Sequence, residues 1–279
     1  MSEGVISLTG QIRQNNVDRF NGFGTLYDQS RPQAPEEVAK ILTMYLGRAP
    51  EYVADVGCGT GLSTMIWLKH AERVIGIEPN DDMRGVALSR LRETGAQEKL
   101  TFVQGLSDQL PLASASVDIV TCSQSFHWME PQPTLREFAR VLRPGGVFAA
   151  YDCDWPPAIA PELEQAYERL IDFADQRASE LAESGKQAYK WPKDKHLQEI
   201  RESGWFHFSR EIVFHHWESC DAGRYANLAF SQGGLQTALK LGDGEVAAAA
   251  ERFRNQAIQA FGGETREILF NYRMRLGVK

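Results

Sequence analysis

The chain has 279 residues, a hydrophobic fraction of 43% and a formal net charge of −7 at pH 7. This length and apolar content suffice for one large domain with an inserted subdomain. The acidic balance argues against a nucleic-acid partner, because its phosphates would be repelled. The sequence contains no apolar run as long as a membrane span and begins without a basic-then-apolar signal, which predicts a cytoplasmic protein with no membrane span.

A strand followed by a glycine-rich turn is the first informative feature along the chain. Residues 53–56 are apolar except for Asp55, which predicts a buried parallel strand. Three glycines follow within five positions, at 57, 59 and 61, and a helix is predicted over 62–70. Glycine lets a ligand approach the backbone, and such a turn directs amide groups towards it. The segment therefore predicts a nucleotide-type site.

The glycine spacing narrows the kind of nucleotide. A dinucleotide loop, G-x-G-x-x-G, needs its third glycine where this chain has Leu62, and the Gly-Lys-Ser/Thr ending of a P-loop is missing. The next predicted strand, 74–77, leads into Glu78. A carboxylate at the tip of a second strand is placed to accept both ribose hydroxyls of a nucleotide. A surface glutamate is the alternative interpretation of this position.

Three more predicted strands follow in the same half of the chain, and the first two of them lead into loops. Residues 100–104 predict a third strand, and residues 117–122 a fourth strand that leads into a loop ending in His127-Trp128. An amphipathic helix over 135–142 is followed by an Arg-Pro-Gly-Gly turn and by a fifth strand over 147–151. The alternation of strands and helices predicts a parallel sheet.

In this order, the segments resemble the successive motifs of the class I S-adenosylmethionine-dependent methyltransferases. The small-molecule type is the nearest match, as in trans-aconitate-type and ubiquinone/menaquinone-type enzymes. Asp108 stands where the family usually has glutamate. The resemblance implies an α/β fold with a Rossmann-like, seven-stranded, mostly parallel sheet. Helices would cover both faces, with helical cap insertions after strands five and six.

The resemblance also implies S-adenosyl-L-methionine as the cofactor and S-adenosyl-L-homocysteine as its product. An upstream element over 20–32 has the family's aromatic–Tyr–x–x–x–Arg–Pro pattern, in which Arg31 would pair with the methionine carboxylate. An ordinary helix-to-loop connection is the alternative for that element. The cofactor-binding residues that the resemblance implies are Tyr27, Arg31, Asp55, Gly57, Cys58, Gly59, Thr60, Gly61, Glu78, Pro79, Met83, Gly105, Leu106, Ser107, Ser123 and Gln124.

Methyl transfer from a sulfonium is an in-line displacement, so the protein chiefly aligns the reactants in a dry pocket. An oxygen or carbon acceptor usually needs a base as well, whereas a neutral amine does not. The candidate catalytic residues are His127 and Asp152, with Tyr27 as an orienting group and Asp154 as a second carboxylate after strand five. For His127, packing or cofactor contact is the alternative to proton transfer. We expect transfer to oxygen or nitrogen of a small molecule.

Three other functions remain open at this point, the third of which is a catalytically silent cofactor-binding protein that regulates a partner. Cys58, Cys122 and Cys153 lie near the carboxyl ends of predicted strands, which suits methylation of arsenite or another thiol-bound metalloid, or simply small buried residues at turns. A nicotinamide-dependent oxidoreductase on the same fold is the second alternative, disfavoured by the glycine spacing and the Arg-Pro-Gly-Gly turn. The cysteines form no C-x-x-C pair, so no metal site is predicted.

The last 125 residues predict insertions. We expect an S-adenosylmethionine-binding methyltransferase domain over 1–155 and 204–279, a helical cap insertion over 156–203, and further helices over 221–262 between the last two strands. The lysine- and aromatic-rich stretch 186–195 is consistent with a solvated loop or with a surface that meets an anionic substrate. The expected partner is a small-molecule substrate, and the expected assembly is a monomer or homodimer.

Overall fold

The computed structural model describes residues 3–22, 24–181 and 188–279, without the side chains of residues 3–9 and 26. These residues form two compact units. The sheet unit comprises Pro32–Asp152, Tyr189–Phe214 and Arg273–Lys279. The helical unit comprises the described parts of Met1–Arg31, Cys153–Ala188 and His215–Tyr272.

Seven strands form one sheet with the order β3-β2-β1-β4-β5-β7-β6. The pairs β1–β2, β1–β4, β2–β3 and β4–β5 are parallel. The predicted seven-stranded, mostly parallel α/β fold is thus confirmed. The strands are β1 Tyr52–Val56, β2 Arg73–Ile77, β3 Leu100–Val103, β4 Val117–Ser123, β5 Leu142–Ala158, β6 Phe208–Cys220 and β7 Arg266–Val278.

The strand order fixes where a ligand can bind in the sheet unit. β1 to β3 extend the sheet in one direction, and the chain then returns to the other side of β1 to form β4. Such a reversal opens a crevice beyond the carboxyl ends of the two strands that flank it. In this protein those ends are Val56 of β1 and Ser123 of β4.

Helices cover the sheet and build the helical unit. The sheet unit contains α3 Glu36–Leu46, α4 Asp81–Thr94, α5 Pro131–Val141 and α7 His196–Glu202. The helical unit contains α1 Glu3–Asp18, α2 Gly24–Ser30, α6 Pro161–Leu181, α8 Ala222–Phe230, α9 Gly233–Lys240 and α10 Gly244–Phe261.

The core of the sheet unit anchors the loop that follows β4. Phe126, in that loop, is buried against Phe148 of β5, with ring centroids 5.3 Å apart. Phe138 of α5 packs on the same Phe148 ring, at 4.9 Å. Aromatic pairs of this kind stabilise beyond the area that they bury. His127, the next residue after Phe126, is therefore held on a rigid support.

Two elements, and the grouping of the insertions, differ from their predicted form. The helix predicted over 62–70 is a 3-10 helix, Thr64–Lys69, whose first turn is tied to Asp55 by side-chain hydroxyls. The fifth strand, predicted over 147–151, is a longer strand that runs from Leu142 to Ala158.

The third difference lies in how the insertions group. α8, α9 and α10 belong with α6 in the helical unit, whereas α7 belongs to the sheet unit. The two units therefore divide the chain differently from the predicted domain boundaries, which stay a prediction. Residues 186 and 187 of the lysine-rich stretch lie outside the described residues.

Within the described ranges, no helix has both the length and the apolar content needed to cross a membrane.

Candidate active site

The glycine turn after β1 lies at the sheet's reversal point. Its three glycines serve two purposes, close packing and an open backbone. All three have positive φ angles. A Cβ on Gly57 would lie 2.7 Å from Ser125 Cβ, and one on Gly61 would lie 2.7 Å from Phe102 Cζ. A Cβ on Gly59 would meet only the end of the Met83 side chain, at 3.3 Å, among the described residues. Gly57 and Gly61 therefore permit packing, and the backbone beside Gly59 is the part left open to a ligand.

Asp55 holds this turn in place. Its buried carboxylate accepts hydrogen bonds from Ser63 Oγ and Thr64 Oγ1, both at 2.7 Å, and from Thr121 Oγ1 of β4 at 2.9 Å. Burial raises the pKa of this carboxyl, although the three hydroxyl donors oppose the shift. In this structure Asp55 joins the turn to β4, so the residue predicted as a cofactor contact has a structural task.

Glu78 faces the open part of the turn. Its Oε2 accepts a hydrogen bond from the Gly59 amide at 2.8 Å, and its Oε1 accepts one from the Asn80 amide at 2.9 Å. Burial raises the pKa of Glu78 to about 7, against the lowering effect of those two amides. The structure thus brings Glu78 and Gly59 together, and it leaves this carboxyl close to half protonated at neutral pH.

Thr60 adds a second polar group to the turn. Its side chain is almost wholly buried, and its Oγ1 has no hydrogen-bond partner among the described residues. A buried hydroxyl without a partner is costly, so it points to a ligand that would complete it. A nucleotide-like cofactor with several hydroxyl and amine groups fits the chemistry of this turn.

The remaining residues predicted for the cofactor lie around the turn in the sheet unit. Met83 packs beside Gly59, its backbone amide bound by Asn80, which caps α4. Ser107 Oγ lies 2.9 Å from Thr134 Oγ1. Pro79 follows Glu78, and Gly105 and Leu106 lie at the carboxyl end of β3, with Cys58 buried in the turn itself.

The loop after β4 is strained at Gln124. This residue has a φ of +51°, in the left-handed region that non-glycine residues seldom adopt. Its amide donates to the Tyr151 carbonyl of β5 at 2.8 Å, and Ser125 Oγ donates to the Val56 carbonyl of β1 at 2.8 Å. Ser123, the last residue of β4, is paired in register with Tyr151. The loop is therefore fastened to both neighbouring strands, and such strain is characteristic of functional sites.

His127 and Asp152 come together at the end of this loop. Both side chains are buried, and His127 Nδ1 lies 3.5 Å from Asp152 Oδ1. Burial lowers the pKa of His127 to about 4, although Asp152 opposes the shift. The imidazole is therefore neutral at physiological pH, with Nδ1 towards the carboxylate and Nε2 as the other ring nitrogen.

A chain of ion pairs holds Asp152 in its charged form. Lys193 Nζ lies 2.7 Å from Asp152 Oδ1, and Arg275 Nη1 lies 3.7 Å from Oδ2. Arg275 in turn donates from Nε to Glu211 at 2.8 Å, and Arg273 pairs with Glu211 at 3.0 Å. Burial alone would raise the pKa of Asp152, but the Lys193 ammonium and His127 outweigh it, and the pKa falls well below its usual range.

His196 of α7 was not expected from the sequence. Its ring stacks beside that of His127, with centroids 6.5 Å apart, and meets Phe126 edge-on at 4.8 Å. Neither of its ring nitrogens has a hydrogen-bond partner within the described part of the chain. Burial lowers the pKa of His196 to about 4, so a second neutral imidazole lies next to the first. No local pattern around residue 196 could have identified it.

Tyr27 and Arg31 belong to the helical unit. Arg31 Nη2 donates to the Ser231 carbonyl at 2.9 Å and to Gln232 Oε1 at 3.1 Å. Its guanidinium also lies over the rings of Tyr27 and Trp155, at 4.9 and 4.6 Å. The guanidinium therefore has partners within its own unit, and its pairing with a methionine carboxylate stays a prediction. Asp154 belongs to the same unit.

The cysteines give no support to a metalloid site. All four are buried and free of disulfides. Burial raises the pKa of Cys58 and Cys122 well above its ordinary value, so both thiols stay protonated. No group of three or more His, Cys, Asp or Glu side chains in the described ranges could hold a metal ion.

Comparison with known proteins shows similarity to methyltransferases. The model of a methyltransferase domain family matches residues 54–150. An uncharacterised methyltransferase of Mycobacterium tuberculosis is 35% identical over 120 residues, which are 43% of this chain and 46% of the relative. The erythromycin 3″-O-methyltransferase of Saccharopolyspora erythraea is 28% identical over 187 residues, which are 62% of this chain and 56% of the relative. This chain thus spans about half the length of these curated relatives.

A solved structure shows the same fold. A methyltransferase assigned to type II, from Anaeromyxobacter dehalogenans, superposes with a TM-score of 0.65 at 19% identity, covering 89% of this chain and 97% of that one. At this identity the likeness concerns the fold. The sequence resemblance described above is therefore confirmed by the family match over 54–150 and by the architecture around it.

Proposed function

We propose that this chain transfers a methyl group from S-adenosylmethionine to oxygen or nitrogen of a small molecule, because its residues 54–150 match a methyltransferase domain family. The observation that carries the proposal is the cradle formed by Glu78, Gly59 and Thr60 at the reversal point of the sheet. Its three parts offer a carboxylate, an open backbone and an unpartnered hydroxyl. This combination suits a ribose ring better than a pyrophosphate, which a carboxylate would repel.

The cofactor, when bound, supplies an electrophilic methyl group on a cationic sulfur. Glu78 would accept the ribose hydroxyls, in place of or beside its present bond from the Gly59 amide. Thr60 Oγ1 would gain the partner that it lacks. The loop after β4, fixed by Ser125 and Gln124, would align the acceptor.

His127 is the residue that we propose for the proton. Its Nε2 would take the proton of the acceptor's hydroxyl or ammonium group while Nδ1 faces Asp152. The Asp152 carboxylate then stabilises the imidazolium that forms, as in other carboxylate–histidine pairs. An oxygen acceptor gains support from the Saccharopolyspora relative, which is an O-methyltransferase.

Calorimetry with S-adenosylmethionine, S-adenosylhomocysteine and NAD tests the proposal directly. We expect the first two to bind with one site per chain and NAD not to bind. Release of S-adenosylhomocysteine in the presence of a small-molecule library then tests transfer. Binding of NAD alone, or cofactor binding with no product from any library member, would count against methyl transfer.

A glycine variant ties the cofactor to the turn. Gly59→Val should abolish S-adenosylhomocysteine binding, because the new side chain fills the space beside the open backbone. Gly95→Val is the matched control, since Gly95 at the end of α4 also has a positive φ angle, is exposed, and a Cβ there meets nothing within 4 Å. Both variants should retain native circular dichroism. Normal binding by a folded Gly59→Val protein would move the cofactor site elsewhere.

A further inference from the structure

Lys193 differs from the other cation that pairs with Asp152. Its side chain is 36% exposed, whereas that of Arg275 is 7% exposed. Arg275 is also bound to Glu211, so its departure would break two ion pairs rather than one. Lys193 has one described ion-pair partner, Asp152, so its ammonium can turn to another anion at the cost of this one pair, while Asp152 keeps Arg275. Lys193 is therefore the exchangeable partner of Asp152.

The segment that carries Lys193 is fastened to the candidate catalytic loop. The Trp191 amide donates to the His127 carbonyl at 2.9 Å. Lys190 Nζ lies over the Trp128 ring, 5.3 Å from its centroid. Two ammonium groups, from Lys190 and Lys193, thus act on the His127 imidazole, against the single carboxylate of Asp152. In a chain with a net charge of −7, this is a local excess of positive charge.

We propose that Lys193 recognises an anionic group on the methyl acceptor, a carboxylate or a phosphate, and exchanges Asp152 for it. The inference rests on the proposed methyl transfer and adds the substrate class to it. An acceptor without such a group leaves Lys193 on Asp152. An anionic acceptor takes Lys193, and Asp152 keeps Arg275 while its Oδ1 becomes available to His127.

This exchange of partners would couple recognition of the substrate's anion to the basicity of His127. Lys193 disfavours a positive charge on His127, and Asp152 favours it. Once the ammonium is neutralised by the substrate's anion, His127 accepts a proton more readily. Lys190, which also opposes that charge, stays on Trp128. His196, with Asp152, Arg275, Lys193 and Asp194 acting on it, is neutral at physiological pH and adds no charge to the balance.

The test compares three aromatic probes that differ in charge: benzoate, phenyl phosphate and neutral benzamide. Each is titrated at constant ionic strength into the full chain saturated with S-adenosylhomocysteine. Lys193→Gln removes the ammonium, Lys193→Arg keeps a cation, and Lys195→Gln is the control on the same segment. The readouts are calorimetric affinity and the pKa of His127, followed by two-dimensional NMR of its ring nitrogens.

We expect benzoate, phenyl phosphate or both to bind the wild type more tightly than benzamide, and to raise the pKa of His127. Lys193→Gln should weaken binding of the anionic probe by roughly tenfold or more, the effect of one charge-assisted hydrogen bond. It should also raise the pKa of His127 without any probe. Lys193→Arg should restore probe binding, and Lys195→Gln should behave as the wild type. Which anion binds identifies the acid group.

Equal binding of the three probes to the wild type, or no binding of any, would overturn the inference. So would a preference for the anions that survives in Lys193→Gln. The proposed function is judged separately, because S-adenosylhomocysteine binding is measured in the same samples. If S-adenosylhomocysteine binds but probe binding does not depend on Lys193, the proposed methyl transfer stands and the acceptor belongs to another class.

Discussion

The two sides of the reversal point satisfy their buried charges in opposite ways. On the side of β1 and β2, Asp55 and Glu78 are held by neutral donors, hydroxyls for the first and backbone amides for the second. On the side of β4 and β5, Asp152 is held by the cations of Lys193 and Arg275. With neutral donors alone, burial raises the pKa of both carboxyls, whereas the cations around Asp152 hold its pKa below the usual range. The first side suits a ligand with hydroxyl groups, and the second suits control of a proton.

The largest expected effect is a loss of turnover when His127 is replaced, on the side of β4 and β5. His127→Asn should lower kcat by about 10²–10⁴-fold, because the base is lost, while S-adenosylhomocysteine still binds. The low pKa of His127 in the free enzyme, about 4, also predicts a kcat/KM that does not depend on this group between pH 6 and 8. Single-turnover kinetics with an identified acceptor measures both. A variant with the kcat of the wild type would show that His127 is not the base and only packs in the loop.

Asp152→Asn removes the buried carboxylate that pairs with Lys193 and Arg275 and should reduce stability. The change leaves buried Arg275 with Glu211 alone and leaves Lys193 without its partner. We expect a loss of about 3 kcal/mol in the free energy of unfolding, at the low end for a broken buried pair because Arg275 keeps one carboxylate. Urea unfolding measures it, with Asp108→Asn as a control in the loop after β3. An unchanged urea midpoint would show that the ion pairs of Asp152 do not contribute to stability.

The pH dependence of stability tests the side of β1 and β2, where Glu78 is held by neutral donors. Its pKa is raised in the folded state, so its contribution to stability is present below about pH 4.5 and is lost as pH rises through about 7. Glu78→Gln should remove this dependence and bind S-adenosylmethionine at least about tenfold more weakly, because the carboxylate that accepts the ribose hydroxyls is gone.

The cofactor should also shift the protonation of Glu78. Hydroxyl donors favour the charged carboxylate, so binding at pH 7 should release a fraction of a proton. Calorimetry in buffers of different ionisation enthalpy detects that release. An enthalpy that is the same in every buffer would argue against ribose at Glu78.

The smallest expected effect concerns Thr60. Thr60→Val removes a hydroxyl that has no described partner, so the unliganded protein should be as stable or slightly more stable. Cofactor affinity should fall by a few-fold, the net value of one neutral hydrogen bond. Thermal unfolding with and without S-adenosylhomocysteine separates the two results. A variant that binds as tightly as the wild type would show that Thr60 Oγ1 does not meet the cofactor.

The sequence revealed the first side of the site far better than the second. The glycine turn and Glu78 are read from short segments, because a strand, a turn and a carboxylate at a strand tip each leave a local pattern. The hydroxyl partners of Asp55 lie eight, nine and 66 positions away, so its structural task could not be read from the turn alone.

The second side depends on residues that only the folded sheet brings together. Asp152, Lys193, His196 and Arg275 come from four separate elements or connections. Ion pairs between such distant positions leave no periodicity, so neither His196 nor the role of Arg275 could be predicted. The lysine-rich stretch did indicate positive charge near the site, but the segment's contact with His127 needed the fold.

The backbone of Gln124 has a consequence for protein engineering. A residue held at a φ of +51° stores conformational strain that glycine or asparagine would relieve. Selection for heat resistance alone would therefore favour replacement of Gln124, which lies three residues before His127. Selection for turnover would oppose any replacement that lets this loop relax. Thermal screening of random libraries should thus enrich changes here that make the enzyme more durable and slower.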